Sequence, residues 1–464
     1  MACNIQNEFA SIGLGDRRRD ERLLKLAARL AQSPRSSVRA ACQGWDETMA
    51  GYRLLHNKHL DMQKLLGSHR QALSQRAHQC DGDLLLLQDT TELDYSTHKA
   101  LHVSGPISDK SRRGFFLHNR LLVAEEAGLV LGICSAQAWA RDDAEHGKKA
   151  RRKLLPIEEK ESMRWLDGYD DACVLAAQLP GHRVIMIADR ECDIYELYVR
   201  WQERPQADFV VRACRDRALL NEGHLFEELH AASLLGSFDL EVQRKEQTVK
   251  IKEGSRRRVR EGRLATMELR AMPVHPRPPQ RKGFKLPEVE LCAVLVAEKN
   301  PPGGQEPIEW LLLTTLPAKD FEEAMRIVRA YTRRWLIEEF HRVLKSGCRI
   351  EALTLRESHA LLAAVALYMV VAWRILYLRD LSRSGAEMPC TWFFTQAETQ
   401  AVNLILKRGV GSDPPTLAEL AVMVAKMGGY AARKSDPPPG PECLWRGLEK
   451  LRCYVEMGQA LGAL

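Results

Sequence analysis

The chain contains twelve cysteines, yet none forms a C-x-x-C pair and no His/Cys cluster has zinc-ligand spacing. A zinc module and a redox dithiol are therefore excluded, and scattered single thiols suit a reducing cytosol. The opening residues, MACNIQNEFASIGLGD, lack the apolar core of a signal peptide. The longest apolar run, LLAAVALYMVVAW (361–373), is too short to span a bilayer and reads as a buried helix. No internal repeat is visible, so a repeat architecture is not expected.

What is present begins with charge. The formal net charge of +7 permits an anionic partner without demanding one. Its distribution says more. Basic residues cluster at Arg17, Arg18 and Arg19, at Lys148, Lys149, Arg151, Arg152 and Lys153, and through RKEQTVKIKEGSRRRVREGR (244–263). Three separated patches fit an extended polyanion better than a small acidic ligand. At 464 residues, the chain should form two to four domains or subdomains.

The pattern along the chain is mixed α/β. Residues 1–72 read as helical, with an amphipathic helix at 20–32. FFLHNRLLVAE (115–125) and LVLGICSAQAW (129–139) read as paired strands around Ala127 and Gly128. DLLLLQ (83–88) and RVIMIAD (183–189) read as buried strands ending at Asp89 and Asp189. A strand-rich block with a basic stretch fills 207–308, followed by a strand at 309–316 and a helix from about 320 to 346. The remainder reads as helical, broken by SDPPPGPE (435–442).

One helical run, YTRRWLIEEFHRVLKSG (331–347), concentrates the chemistry. At about 100° per residue, Tyr331, Arg334, Glu338 and Lys345 fall within roughly 60° of one another. Leu336, Ile337, Phe340, Val343 and Leu344 fall opposite. The bland reading is a solvated face with i,i+4 pairs, Arg334 with Glu338 and Glu338 with Arg342. Glu339, turned about 100° from Glu338, is expected to tolerate alanine far better than Glu338 does. A sharper reading joins Glu338 to Asp89 and Asp189. Acids at the carboxyl ends of buried strands open on a crevice. Three converging carboxylates would suit a hard cation such as Mg²⁺, which is held by one or two carboxylates plus substrate phosphates. For each Asp, the competing reading is a helix N-cap.

The sequence resembles the DDE transposases of the ribonuclease-H-like superfamily, and within them the insertion-sequence-four family that includes the transposon-five transposase. The most diagnostic part is Y-x2-R-x3-E-x6-K, met by Tyr331, Arg334, Glu338 and Lys345. LLLLQDTTELDY, ISDKSRRGFFLHN, IMIADRECDIYEL, LGDRRRDERL, FVVR and WLLLTT stand around it in family order over nearly the whole chain. After Lys345 the chain reads SGCRIEALTLRES, which departs from the transposon-five version.

The resemblance implies an α/β fold: a ribonuclease-H-like catalytic core with a β-rich insertion, flanked by helical N- and C-terminal domains. The expected layout is a DNA-binding domain at 1–72, core at 73–206 and 309–380, insertion at 207–308 and a dimerisation domain at 381–464. It implies a catalytic, metal-binding triad of Asp89, Asp189 and Glu338, with two Mg²⁺ ions that Mn²⁺ can replace. Tyr331, Arg334 and Lys345 would contact phosphates of the transposon end. Arg212 and Arg342 would contact DNA, Trp310 would stack on a flipped base, and Trp335 would lie near a DNA hairpin. The implied activity is cut-and-paste transposition through a hairpin intermediate. The implied partners are double-stranded DNA (terminal inverted repeats and target) and a second copy of the chain, in the bacterial cytoplasm at the nucleoid. Two alternatives are a structure-selective nuclease on the same fold and a catalytically silent end-binding regulator.

Overall fold

A computed structural model describes residues 4–101, 104–108, 111–143, 155–242, 245–251, 254–280, 285–303, 305, 307–384, 387–405 and 415–464, with backbone only at 245–251 and 254–260. The basic residues Lys148, Lys149, Arg151, Arg152 and Lys153 lie outside the described residues, as do the side chains of most of the 244–263 run. The chain divides into two compact units: Met1–Leu155 with Trp335–Leu464, and Pro156–Arg334.

The first unit opens with four helices, α1 (Arg17–Gln32), α2 (Val38–Ala41), α3 (Trp45–Leu55) and α4 (Met62–Ala77). Asp16 caps α1 by accepting from the Arg18 amide at 2.9 Å, satisfying one orphan donor of the first turn. Leu23, Leu26, Ala27, Leu30 and Ala31 are buried, the i, i+3, i+4, i+7, i+8 stripe of an amphipathic helix. Four strands follow: β1 (Leu84–Asp94), β2 (Gly105–Pro106), β3 (Arg113–Ala124) and β4 (Leu129–Trp139). β3 lies between β1 and β4, antiparallel to both, with Ala124 opposite Leu129 at the expected turn.

The second unit carries α5 (Met163–Gln178), β5 (Val184–Ala188), α6 (Tyr195–Glu203), β6 (Asp208–Arg212) and α7 (Leu225–Ala231). It continues with β7 (Leu234–Val242), β8 (Lys245–Ile251), β9 (Gly254–Arg260), β10 (Arg263–Val274), β11 (Leu291–Glu298), β12 (Glu309–Thr314) and α8 (Phe321–Thr332). β5 and β6 are parallel, β12 pairs antiparallel to β6, and the sheet continues through β11, β10 and β7. The β-rich segment thus extends one sheet rather than forming a separate layer. β8 and β9 form their own two-stranded ribbon. α8 packs on β5, β6 and β10.

The chain returns to the first unit as α9 (Trp335–Arg342), α10 (Ser358–Ser384), α11 (Gln396–Ile405), α12 (Leu417–Met427) and α13 (Pro441–Ala460). α10 contains the long apolar run. It is apolar enough to cross a membrane, but 94% of its most apolar window is buried in protein. α4 and α10 both pack on β4. A Cβ at Gly132 of β4 would lie 2.7 Å from Leu73 Cδ1 and 2.8 Å from His69 Nε2, so only glycine admits α4 this closely. At that contact, His69 Nδ1 donates to Glu8 (2.6 Å), the Ile133 amide donates to His69 Nε2 (2.9 Å), and Arg76 bonds both Glu8 and the Leu131 carbonyl. α4 runs unbroken through residue 72 and α10 through residue 380, so neither expected domain edge falls in a loop.

Two expectations are corrected. β1 does not stop at residue 88: it runs to Asp94, which places Asp89 mid-strand opposite Asn119. The polar TTELD stretch is held as strand by its full ladder with β3. The helix expected at 320–346 is also broken. α8 ends at Thr332, the Arg334 amide bonds the Tyr331 carbonyl at 3.0 Å, and α9 starts at Trp335. A single π turn follows at Val343–Gly347, closed by the Cys348 amide on the Val343 carbonyl at 2.8 Å. One helical wheel from Tyr331 to Lys345 therefore does not describe the segment.

Candidate functional site

In the first unit the site is built on β1. Side chains alternate along a strand, so Gln88 and Thr90 share one face and Asp89 takes the other. On the first face, buried His118 joins Thr90 Oγ1 (2.9 Å) and Gln88 Oε1 (3.0 Å). On the other, Asn119 stands directly opposite Asp89, and its Nδ2 donates to His341 Nε2 at 3.0 Å. His341 lies on α9, one turn beyond Glu338, and α9 packs on β1. Burial, with Lys345 adding to it, pushes His341 down to about 3, so its ring is neutral and Nε2 can accept. The pair thereby fastens the helix of Glu338 to the strand of Asp89. Asp89 and Glu338 are both half-buried, and Asp89 Oδ1 accepts from the Thr90 amide at 2.8 Å.

Lys345 belongs to the same unit. Its Nζ donates to the Glu92 carbonyl of β1 at 2.7 Å and lies 3.4 Å from Glu351 Oε1. Arg342 is half-exposed and pairs with Glu339 at 3.7 Å, an i,i+3 contact. Trp335 is 56% exposed, far too open for a core residue. Glu339 is not a spare acid: it also pairs with the buried guanidinium of Arg379, which bonds Asp380 as well.

The second unit gathers the other predicted residues. Asp189 directly follows β5 and accepts the Glu191 amide at 2.9 Å, capping the short turn Arg190–Cys192. The cap role weighed for this residue is thus real, and one carboxylate oxygen performs it. Arg212 ends β6 and donates to the Glu309 carbonyl at 2.9 Å. Burial, then Arg190, lowers its pKa; Arg334 adds to this and the Tyr331 hydroxyl opposes it. Tyr331 is buried, and burial raises its pKa against the pull of Arg334 and Arg212. Half-buried Trp310 on β12 stands with its ring 6.3 Å from that of Tyr331. Asp189, Arg212, Trp310, Tyr331 and Arg334 thus form one neighbourhood, rich in guanidinium and edged by two aromatic rings.

Among the described residues, no group of three or more His, Cys, Asp or Glu is drawn together as a metal cage. The donors do fit a hard divalent ion. Asp89 and Glu338 offer carboxylate oxygens, and the neighbouring Asn119 Oδ1 is buried without a hydrogen-bond partner. An ion completed by substrate phosphates and water needs only one or two carboxylates from protein.

Asn119, His341, Arg190 and Glu351 escaped the sequence reasoning. The first two lie inside quoted family strings, LHN and EEFHRVLK, where a histidine or asparagine beside the key acids was the available signal.

Half-buried carboxylates in one unit, and clustered arginines in the other, are side chains suited to a metal-dependent nuclease of polynucleotides. Three family models match the chain: "Transposase DNA-binding" over residues 2–60, "Transposase DDE domain" over 165–373 and "Transposase Tn5 dimerisation domain" over 370–461. The chain belongs to the Tn5-like DDE transposases. It is a DNA-binding, homodimer-forming enzyme with a ribonuclease-H-like core and dependence on a divalent metal. The matched DDE span contains Asp189 and Glu338 but begins beyond Asp89.

Proposed function

We propose that the protein performs cut-and-paste transposition, with Asp89, Asp189 and Glu338 as its catalytic triad. The observation that carries this reading is the clamp just described: Asn119, opposite Asp89, grips His341, one turn from Glu338. Two acids remote in sequence are held on facing elements by a neutral, buried hydrogen bond.

Bound Mg²⁺ would supply Lewis acidity at the scissile phosphate and at the attacking oxygen. Asp89, Asp189 and Glu338 would hold the ions, and Tyr331, Arg334 and Lys345 would fix the phosphates of the transposon end. Arg212 and Arg342 would add backbone contacts that position without reading sequence. Water attacks one strand at the end and releases a 3′-hydroxyl. That hydroxyl attacks the opposite strand, expelling the flanking DNA and closing a hairpin. A second water reopens the hairpin, and the freed 3′-hydroxyls attack target phosphodiesters. Hairpin closure forces a base out of the stack, which costs a few kcal/mol. The face of Trp310 would receive it, with Trp335 beside the hairpin. The layout proposed is end binding by 1–72, catalysis by 73–206 and 309–380 around the insertion 207–308, and pairing of two copies through 381–464. The working partners are terminal inverted repeats and target DNA at the nucleoid.

The metal assignment is tested by substitution. Mg²⁺ or Mn²⁺ should support cleavage, whereas Ca²⁺, with more ligands at longer distance, should permit assembly without it. Robust cutting in Ca²⁺ or EDTA would defeat the assignment. A nuclease lacking transposition would cut without hairpins, and a silent regulator would bind without cutting.

A further inference from the structure

Lys345 has two intramolecular partners. Its ammonium has three protons: one is committed to the Glu92 carbonyl at 2.7 Å, and the Glu351 carboxylate stands 3.4 Å away. Glu351 is placed there with care. It sits in the short turn Ile350–Ala352, entered through Arg349, a non-glycine residue in the left-handed region at φ 51°, ψ 40°. Backbone strain of this kind persists only where surroundings impose it, and it concentrates at functional sites. Here the surroundings are visible. The Asp94 amide donates to Glu351 Oε1 at 2.8 Å, and the buried Tyr95 hydroxyl donates to the Ile350 carbonyl at 2.9 Å. Beside the pair opens a groove of about 560 Å³, lined by Arg35, Ser96, Thr97, Ser346 and Arg349. Two guanidiniums and the hydroxyls of Thr97 and Ser346 are donors suited to phosphate. Asp94, the other acid there, already accepts from Ser96 and Arg112.

We propose that Glu351 is the internal counter-ion of Lys345, occupying the position a DNA phosphate takes, so that end engagement is an exchange of carboxylate for phosphate. The proposal rests on the reading of Lys345 as a phosphate contact. The lysine–carboxylate pair is half-buried, and at 3.4 Å it is longer than a charge-assisted hydrogen bond, so it can be exchanged, while the Glu92 carbonyl keeps the ammonium in place. Glu351 therefore holds the Lys345 ammonium, and its negative charge opposes DNA until the exchange occurs. A phosphate that displaces it enters the groove lined by Arg349 and by Arg35, whose guanidinium stands 4.0 Å from Glu449.

The test is a double-mutant cycle on the full chain, using duplexes that carry candidate terminal inverted repeats, in Ca²⁺, across a salt series. Glu351→Gln keeps an acceptor for the Asp94 amide but removes the charge. It should tighten binding about threefold at low salt and steepen the salt dependence, because no carboxylate remains to be re-neutralised. In the Lys345→Gln background the same change should gain much less. Equal gains in both backgrounds would show a general charge effect and overturn the proposal. Weakened binding by Glu351→Gln would also overturn it, showing that Glu351 positions Lys345 for DNA. If Lys345→Gln alone leaves affinity unchanged, the phosphate reading of Lys345 fails first, and the exchange with it.

Discussion

Glu338 and Glu339 are neighbours with different tasks. Glu338 lies one turn before His341 on α9, which packs on β1, whereas Glu339 neutralises Arg379 from forty residues away. Glu339→Ala should leave the buried Arg379 to rely on its pair with Asp380, lowering stability by about 1–3 kcal/mol. Chemical denaturation measures this; an unchanged midpoint would show that Asp380 suffices. That cost was hidden in the sequence, since nothing local in LIEEFHR distinguishes an acid aimed at Arg379. Trp310 raises the matching question, and its half-burial leaves a face available. Base–aromatic stacking contributes about 1–3 kcal/mol, so Trp310→Ala should slow hairpin closure about tenfold and leave the first nick nearly intact. Equal loss of both products with a lowered melting temperature would instead mark it as a packing residue.

At the scale of elements, periodicity and turn chemistry made most of the strands legible. β3 and β4 are buried runs that flank the turn at Ala127 and Gly128, and the apolar runs of β5, β6, β11 and β12 are short and bounded. Two features were not legible. The break between α8 and α9 contains neither Gly nor Pro, so no local signal marks it; it coincides with the passage from one compact unit to the other. Asp89 looked strand-terminal because polarity begins there, yet pairing with β3 carries the strand five residues further. Element packing also sets a pH response. Burial lowers His69, outweighing Glu8, so the folded protein keeps it neutral below its ordinary pKa. The unfolded chain binds a proton that the folded one refuses, so stability falls as pH drops below about 6.5. His341 acts with the same sign, down to about 3. Burial alone would raise Glu8, but His69 and Arg76 hold it below its ordinary value, so its contribution is lost at still lower pH. Denaturation midpoints should decline between pH 6.5 and 5, by at most about 1.4 kcal/mol per pH unit for each histidine. A flat profile there would show that these rings are already protonated in the fold.

For the whole molecule, the division of labour is clear in the chain itself. One compact unit carries Asp89, Glu338 and Lys345; the other carries Asp189, Arg212, Trp310, Tyr331 and Arg334. The family-like strings made these residues legible one by one, because each lies in a short motif. The supporting shell of Asn119, His341 and Glu351 was not, because its meaning depends on pairings across more than two hundred residues. The central claim is that Asp89, Asp189 and Glu338 act as one triad that cuts DNA through a hairpin. The most direct measurement is a strand-resolved gel of an end-bearing duplex with Mg²⁺, run for the wild type and for each single alanine variant, with end binding measured in parallel. The account predicts a nick followed by a covalently closed hairpin in the wild type, and loss of both by at least about a hundredfold in every variant. Phosphate contacts should keep end binding largely intact. Wild-type cleavage by any one variant, or cutting of both strands with no closed product, would contradict it.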